Sequence, residues 1–136
     1  MEFVLDANIL VSALIKDGFT RNFLTRKEHD FYAPTWILEE IIEHLDEISQ
    51  KAGVGKKELK EILEILLVGI LVVEAHELRE FCKEAKRISP DKDDWQYFAV
   101  ALKLGISIWS NDSALKKQGR VRVFSTKEIG DGKFLA

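Results

Sequence analysis

Four acidic residues from four separated segments, Asp6, Glu40, Asp94 and Asp112, are the side chains best placed by type and spacing to do chemistry. Asp6 follows the apolar run Phe3-Val4-Leu5, and Asp112 follows Ile106-Ser107-Ile108-Trp109, so each stands at the C-terminal end of a predicted strand. In open parallel sheets, ligands bind in the crevice beyond those strand ends. Carboxylate oxygens without soft partners suit Mg²⁺ or Mn²⁺, hard cations held by a few carboxylates, waters and substrate phosphate. Carboxylates that converge without a cation repel one another, and a metal or a proton must relieve that repulsion. Each acid also has a plainer use. Asp6 before Ala7 and Asp94 before Trp95 both stand where Asp caps a helix, and Glu40 alone reads as surface charge. The strand-end placement of Asp6 and Asp112 tilts the set towards a site. Glu39 beside Glu40, and Asp91 and Asp93 before Asp94, leave the register open.

The elements that must position these acids alternate in type. Helical spacing runs from Asn8 to Ile15, and Thr20 is the expected cap of a second short helix carrying Phe23 and Leu24. Phe31-Tyr32-Ala33 predicts a strand closed by Pro34. Thr35 opens a helix whose apolar stripe, Ile37, Leu38, Ile41, Ile42, Leu45 and Ile48, continues without a break. After Gly53 to Gly55 a helix is expected from Lys56 to Val68, then a buried strand from Ile70 to Val73. His76 to Lys86 and Trp95 to Leu104 read as helices around the charged segment 89–94. The strand Ile106 to Trp109, a short helix from Ser113 to Gln118, an edge strand from Val121 to Phe124 and a turn from Ser125 complete the chain. Repeated helix–strand alternation predicts an α/β domain, a parallel sheet with helices on both faces, spanning residues 1–136 as one unit.

Composition bounds the rest. Asp and Glu number 23 against 20 Lys and Arg, a net charge of −3, which argues against a surface that holds nucleic acid by charge alone. It leaves room for local basic patches, of which Lys16, Arg21, Lys116 and Lys117 are the candidates around a site mouth. A single cysteine, Cys82, excludes an intramolecular disulfide and a mainly cysteine zinc site, and its helical position predicts core filling. His29, His44 and His76 lack metal-ligand spacing and read as surface or partner-contact residues. Trp36 and Trp109 read as core, with base stacking as the alternative. No basic leader and no membrane-length apolar run is present, so a cytoplasmic protein without membrane association is expected. Apolar residues on the exposed side of the Lys56 to Val68 helix favour a homodimer or a partner helix.

The segments Val4-Leu5-Asp6-Ala7-Asn8-Ile9-Leu10-Val11, Trp36-Ile37-Leu38-Glu39-Glu40-Ile41, Asp91-Lys92-Asp93-Asp94 before Phe98-Ala99-Val100-Ala101, and Trp109-Ser110-Asn111-Asp112 resemble the PIN domain in order and spacing. The resemblance covers essentially the whole chain. It implies a three-layer α/β/α sandwich around a central, mainly parallel sheet of four to five strands. It also implies a metal-dependent nuclease acting on single-stranded RNA, with Mg²⁺ or Mn²⁺ as cofactor. Many such domains are the toxin of a toxin–antitoxin pair, as in the VapC group, so an antitoxin protein is an implied partner. Carried over position by position, Asp6, Glu40, Asp94 and Asp112 match the family's acidic quartet. Asn8 and Ser110, with Asn111 beside it, match the polar positions that orient it. Ala7 departs from the Thr or Ser common at that position. A PIN fold acting only as a binding scaffold is the alternative. A receiver-type signalling domain fits less well, because Ile70 to Val73 ends in Glu74-Ala75 with no phosphoacceptor Asp.

Overall fold

Phe3, Val4 and Leu5 have no solvent exposure, because their strand, β1 (Glu2–Leu5), lies at the centre of a five-stranded parallel sheet. The structure, a computed structural model, describes residues 1–135. On one side β1 pairs with β2 (Asp30–Pro34), and outside β2 runs β3 (Ile70–Val73). On the other side β1 pairs with β4 (Ser107–Trp109), and outside β4 runs β5 (Val123–Phe124). The spatial order is therefore β3-β2-β1-β4-β5.

Alternation along β1 assigns the two layers that cover this sheet. Phe3 and Leu5 join Phe31, Ala33, Trp109 and Phe124 in the larger core. That face is covered by α1 (Ala7–Ile15), α2 (Phe19–Leu24), α3 (Trp36–Glu43), α4 (Leu45–Ala52) and α5 (Lys56–Leu67). Val4 and Ile108 point the other way, against α6 (Cys82–Ile88) and above all α7 (Trp95–Leu104), whose Tyr97 to Ala101 are all buried. The short α8 (Thr126–Gly130) adds Ile129 to the first core. The result is the three-layer α/β/α arrangement expected, with a sheet that is parallel throughout. Gly105 closes α7 with φ +67°, a left-handed conformation that a side chain would strain, and its N–H donates to the Ala101 carbonyl at 2.8 Å.

Several local expectations change. The helix expected to run unbroken past Ile48 divides at His44, whose backbone (φ −107°, ψ 17°) leaves the helical region between α3 and α4. Apolar spacing stays in phase across the bend, so the pattern carries no mark of it. Thr20 is not the cap of α2: Gly18 occupies that position and Thr20 lies buried inside the helix. The 76–86 segment is a 3₁₀ helix, Ala75–Phe81, followed by α6, and Cys82 is only partly buried. The helix expected over 113–118 is a single 3₁₀ turn, Ser113–Lys116, and the last strand is shorter than Val121 to Phe124.

Two corrections concern burial. β3 is an edge strand rather than a buried one, and Leu71 and Val72 remain exposed. A continuous apolar run looks the same in a central strand and in an edge strand whose faces are incompletely covered. His29 is only partly at the surface: its ring stacks on Phe23 at 4.6 Å between centroids and meets Phe134 edge-on at 5.6 Å. Its Nδ1 is buried without a hydrogen-bond partner among the described residues, and burial pushes its pKa below the usual histidine range.

Phe3 is the hub of this aromatic packing, with Phe31 stacked at 6.2 Å and Phe23, Trp109, Phe124 and Phe134 arranged edge-on. Truncation leaves a cavity among rigid rings that cannot collapse to fill it. Phe3→Ala is expected to lose about 3–5 kcal/mol of stability, measured as the shift in urea-unfolding midpoint at unchanged slope. A loss below about 1 kcal/mol would mean that the ring cluster does not hold the sheet to its helices.

Candidate active site

The chain leaves β1 towards β2 on one side of the sheet, whereas β4 and β5 lie on the other. The ends of β1 and β4 therefore flank the point where the strand order reverses, which is where an open parallel sheet forms its crevice. Asp6 and the Ser110 to Asp112 segment emerge there side by side. The Asp6 N–H still donates to the Trp109 carbonyl at 3.3 Å, and the Ser110 N–H donates to the Phe124 carbonyl at 3.0 Å, so the ladder positions both residues.

Asp6 caps α1 and faces the crevice at once. Its Oδ1 accepts the Ile9 N–H at 3.1 Å, and its Oδ2 accepts a short hydrogen bond from the Ser110 hydroxyl. That hydroxyl in turn accepts the Asp112 N–H at 3.0 Å, so one serine ties the end of β1 to the loop after β4. Asp112 caps the following 3₁₀ turn, its Oδ1 accepting the Ala114 N–H at 3.0 Å. Local capping and a shared crevice, which the sequence presents as competing readings, are satisfied by the same atoms.

Asp94 stands at the N-cap of α7 but makes no side-chain capping bond, which leaves its carboxylate free to face the crevice. Asp91, Asp94 and Asp112 each offer a carboxylate oxygen, and these three atoms lie within 4.8 Å of one another. The register choice at this segment is thus two acids rather than one. Asp93 is exposed and outside the trio. Glu40 lines a cavity with Ala7, Asn8 and Val11 of α1, whereas Glu39 turns to a different cleft with Trp36, Glu74 and Gln96. Helix geometry alone separates these neighbours by about 100°.

The polar and basic candidates divide. Asn8 is exposed on the first turn of α1 beside Glu40. Asn111 spends its amide oxygen on the Thr126 N–H at 2.7 Å, fixing the start of α8, and Trp109 donates from Nε1 to the Thr126 hydroxyl at 3.0 Å. Lys16 follows the last turn of α1, about 15 Å along the helix from Asp6. Arg21 is occupied at that same far end, donating to the carbonyls of Ala13 at 2.7 Å and Leu14 at 3.2 Å. Lys116 is ion-paired with Glu128, which it helps hold down to about pKa 2, and Lys117 is exposed. Tyr97 is a site neighbour that the sequence reading passed over. It is buried, its hydroxyl accepts the Ala7 N–H at 3.0 Å, and the charges of Asp6, Asp94 and Glu40 reach it. A lone hydroxyl-bearing ring within the apolar face of α7 was the available signal.

Burial raises the Asp6 pKa against the lowering effect of the Ser110 hydroxyl and the backbone N–H groups, with Asp112 adding repulsion. Burial and the neighbouring Asp91, Asp6 and Asp112 push Asp94 up to about 6 from 3.8. Donors and charges of this kind fit a hard divalent cation: oxygen ligands only, mutually repelling, with no cysteine or histidine among the three. Between pH 4 and 6 the folded chain keeps a proton on Asp94 that the unfolded chain has released, so stability falls as pH rises through that window and stays reduced above it. In EDTA, Asp94→Asn is therefore expected to raise the thermal midpoint at pH 7.5 and to leave it nearly unchanged at pH 4. Mn²⁺ is expected to raise the wild-type midpoint at pH 7.5. An Asn variant no more stable than wild type at pH 7.5 would show that the acids do not strain the apo site.

Two solved structures share this architecture. Over 92% of this chain and 98% of theirs, the similarity to a chain in the crystal structure of VapBC2 from Rickettsia felis, bound to a DNA fragment from its promoter, has a TM-score of 0.71 at 16% identity. Over 100% of this chain and 91% of the other, the crystal structure of PAE2754 from Pyrobaculum aerophilum matches with a TM-score of 0.67 at 15% identity. No curated protein matches the sequence. The sequence model of the PIN domain matches residues 4–131, and the chain belongs to the PIN domain family.

Proposed function

We propose that the protein is a metal-dependent endoribonuclease that hydrolyses phosphodiester bonds of single-stranded RNA. The observation that carries this reading is the convergence of Asp91, Asp94 and Asp112 at the sheet's switch point, with buried Asp6 tied to Asp112 through Ser110. Membership of the PIN family supports nuclease chemistry at that place.

Asp91, Asp94 and Asp112, with Asp6 tied to Asp112 through Ser110, would hold Mg²⁺ or Mn²⁺. When bound, such a cation relieves their repulsion and supplies a Lewis acid for the phosphate oxygens and the attacking water. Ser110 orients Asp6 while its oxygen holds the Asp112 backbone, so both carboxylates keep one geometry during turnover. Glu40 lies outside the trio and beside Asn8, and from there it would position the attacking water and accept its proton. Lys117, and Lys116 once released from Glu128, contact the RNA strand beyond the mouth.

The same reading extends to partners. An antitoxin protein is proposed from the similarity to a chain of VapBC2, and a homodimer from the exposed Ile65 in α5, Val68 just after it and Leu71 in β3. Among the described residues no helix is long and apolar enough to cross a membrane.

Cleavage of a mixed pool of single-stranded RNA with Mn²⁺, Mg²⁺ or EDTA is the direct test. Metal-dependent cutting by wild type, abolished in Asp6→Asn and Asp112→Asn, is the expected result. Equal cutting by wild type and both variants would reject the site. Ser110→Ala is expected to keep the carboxylates but to raise the metal concentration for half-maximal cleavage about 10–100-fold, with rate recovered at saturating Mn²⁺. Unchanged metal dependence would remove Ser110 from the orienting role.

A further inference from the structure

A basic stretch follows directly on the acids. From Ser113 to Lys127 the chain has no Asp or Glu, yet it carries Lys116, Lys117, Arg120, Arg122 and Lys127, in a protein whose net charge is −3. The segment leaves the crevice at Asp112, makes one 3₁₀ turn from Ser113 to Lys116 and returns along the sheet edge as β5. Four 3₁₀ residues rise about 8 Å, so Lys116 stands roughly that far from Asp112. Phe124 pairs with Trp109 at the crevice end of β4, so Arg122, two residues earlier, lies about 7 Å down the sheet edge. Gln118 fixes the loop between them. Its Nε2 donates to the carbonyls of Leu115 at 3.0 Å and Val121 at 2.8 Å, and its Oε1 accepts the N–H groups of Arg120 at 2.9 Å and Val121 at 2.8 Å. Lys117, Arg120 and Arg122 are therefore presented from an ordered backbone, and all three are exposed.

The partners these cations already have decide what each can offer. Lys116 pairs with Glu128, Lys127 with Asp131 at 3.8 Å, and Arg120 with Glu84 at 2.9 Å, where Glu84 is shared with Arg87. Exposed pairs of this kind contribute little, so they do not hold a cation against a phosphate. Lys117 and Arg122 have no carboxylate partner among the described residues. The Arg122 guanidinium lies over the Phe124 ring, 4.8 Å from its centre. With one side against that ring, it keeps its other side and its N–H edge for a ligand. Such a plate suits a phosphate at its edge and a base on its face. Bases offer their faces only where they are unstacked, which favours a single strand over a duplex and over an acidic partner without bases.

We propose that the loop from Lys116 to Arg122 is a track for a single nucleic-acid strand: Lys117 and Arg122 contact its phosphates, Arg122 also stacks a base, and Lys116 and Arg120 exchange their carboxylates for phosphates as the strand crosses the β5 edge. That the strand continues into the acids rests on the nuclease reading; its contact with the loop does not.

The test measures binding of a short single-stranded RNA to the full chain by fluorescence anisotropy over a range of KCl concentrations. EDTA leaves the acids repelling phosphate, so binding reports the loop. Lys117→Ala and Arg122→Ala are each expected to weaken binding and to reduce the slope of log affinity against log salt by about 0.7, the value for one phosphate of a single strand. Arg122→Lys is expected to keep the slope and still weaken binding at least about fivefold, the low end of what stacking a base contributes. Lys60→Ala, on α5 beside the opposite sheet edge, is expected to change neither. Slopes unchanged in both alanine variants, or reduced as much by Lys60→Ala, overturn the track. Arg122→Lys binding as well as wild type overturns the stacked base. Duplex DNA, polyglutamate or phosphatidylserine vesicles bound more tightly than the single strand overturn the choice of partner. RNA cleavage with Mn²⁺ on the same preparations separates the two readings. A chain that cuts RNA with unchanged slopes in the variants loses the track alone, and one that binds the strand through the loop but cuts nothing loses the nuclease and the continuation into the acids.

Discussion

A buried carboxylate at the point where β1 and β4 part governs the rest of the crevice. Removing the Asp6 charge from water is costly unless donors surround it, and the chain supplies them from both directions. The Ile9 N–H comes from the first turn of α1, whose dipole also favours a negative charge there, and the Ser110 hydroxyl comes from the neighbouring strand end. The balance is incomplete, since burial still leaves the Asp6 pKa raised. Bringing Asp91, Asp94 and Asp112 to the same mouth adds like charge to an already strained group. Such an arrangement persists because the core beneath it is rigid, with Phe3, Val4 and Leu5 of β1 fully buried and packed on both faces.

That packing is unevenly distributed. Phe3 meets rings from β2, β4, β5, α2, His29 and Phe134, whereas β3 presents an exposed edge with Leu71 and Val72 uncovered. The α3–α4 bend makes a cavity against the first turns of α1, where Glu40 and Glu47 pair with His44 and Lys51. A cluster of acids, a shaped recess and an open sheet edge thus occupy three different places around one sheet.

Much of this was legible in the amino-acid order. Helix and strand alternation determined the α/β class, and Asp6 and Asp112 were found by their place after apolar runs. The acid segment before α7 pointed to Asp94 but could not exclude Asp91, because a loop has no periodicity that says which side chains turn inward. Glu40 and Glu39 differ by one residue in a helix, and only the packing of α3 against α1 decides which one faces Asn8. The bend at His44 left no trace, since a kink that preserves the phase of Ile41 and Ile48 preserves the pattern. Arg21 looked like a substrate contact and is occupied by the carbonyls of Ala13 and Leu14. A long cation has many destinations, and sequence spacing does not choose among them.

The sequence by itself determined the element types, the strand ends that carry carboxylates and the hard-cation character of the donor set. Those properties follow from residue type and from periods of two and 3.6, which act over a few residues. Tertiary structure decided which acids share a crevice, that Ser110 links Asp6 to Asp112, that β3 is an edge and that His29 packs against phenylalanines. Each of these depends on segments up to about a hundred residues apart meeting in space, as in the Ser110–Asp6 bond across 104 positions, and local pattern carries no information about that distance.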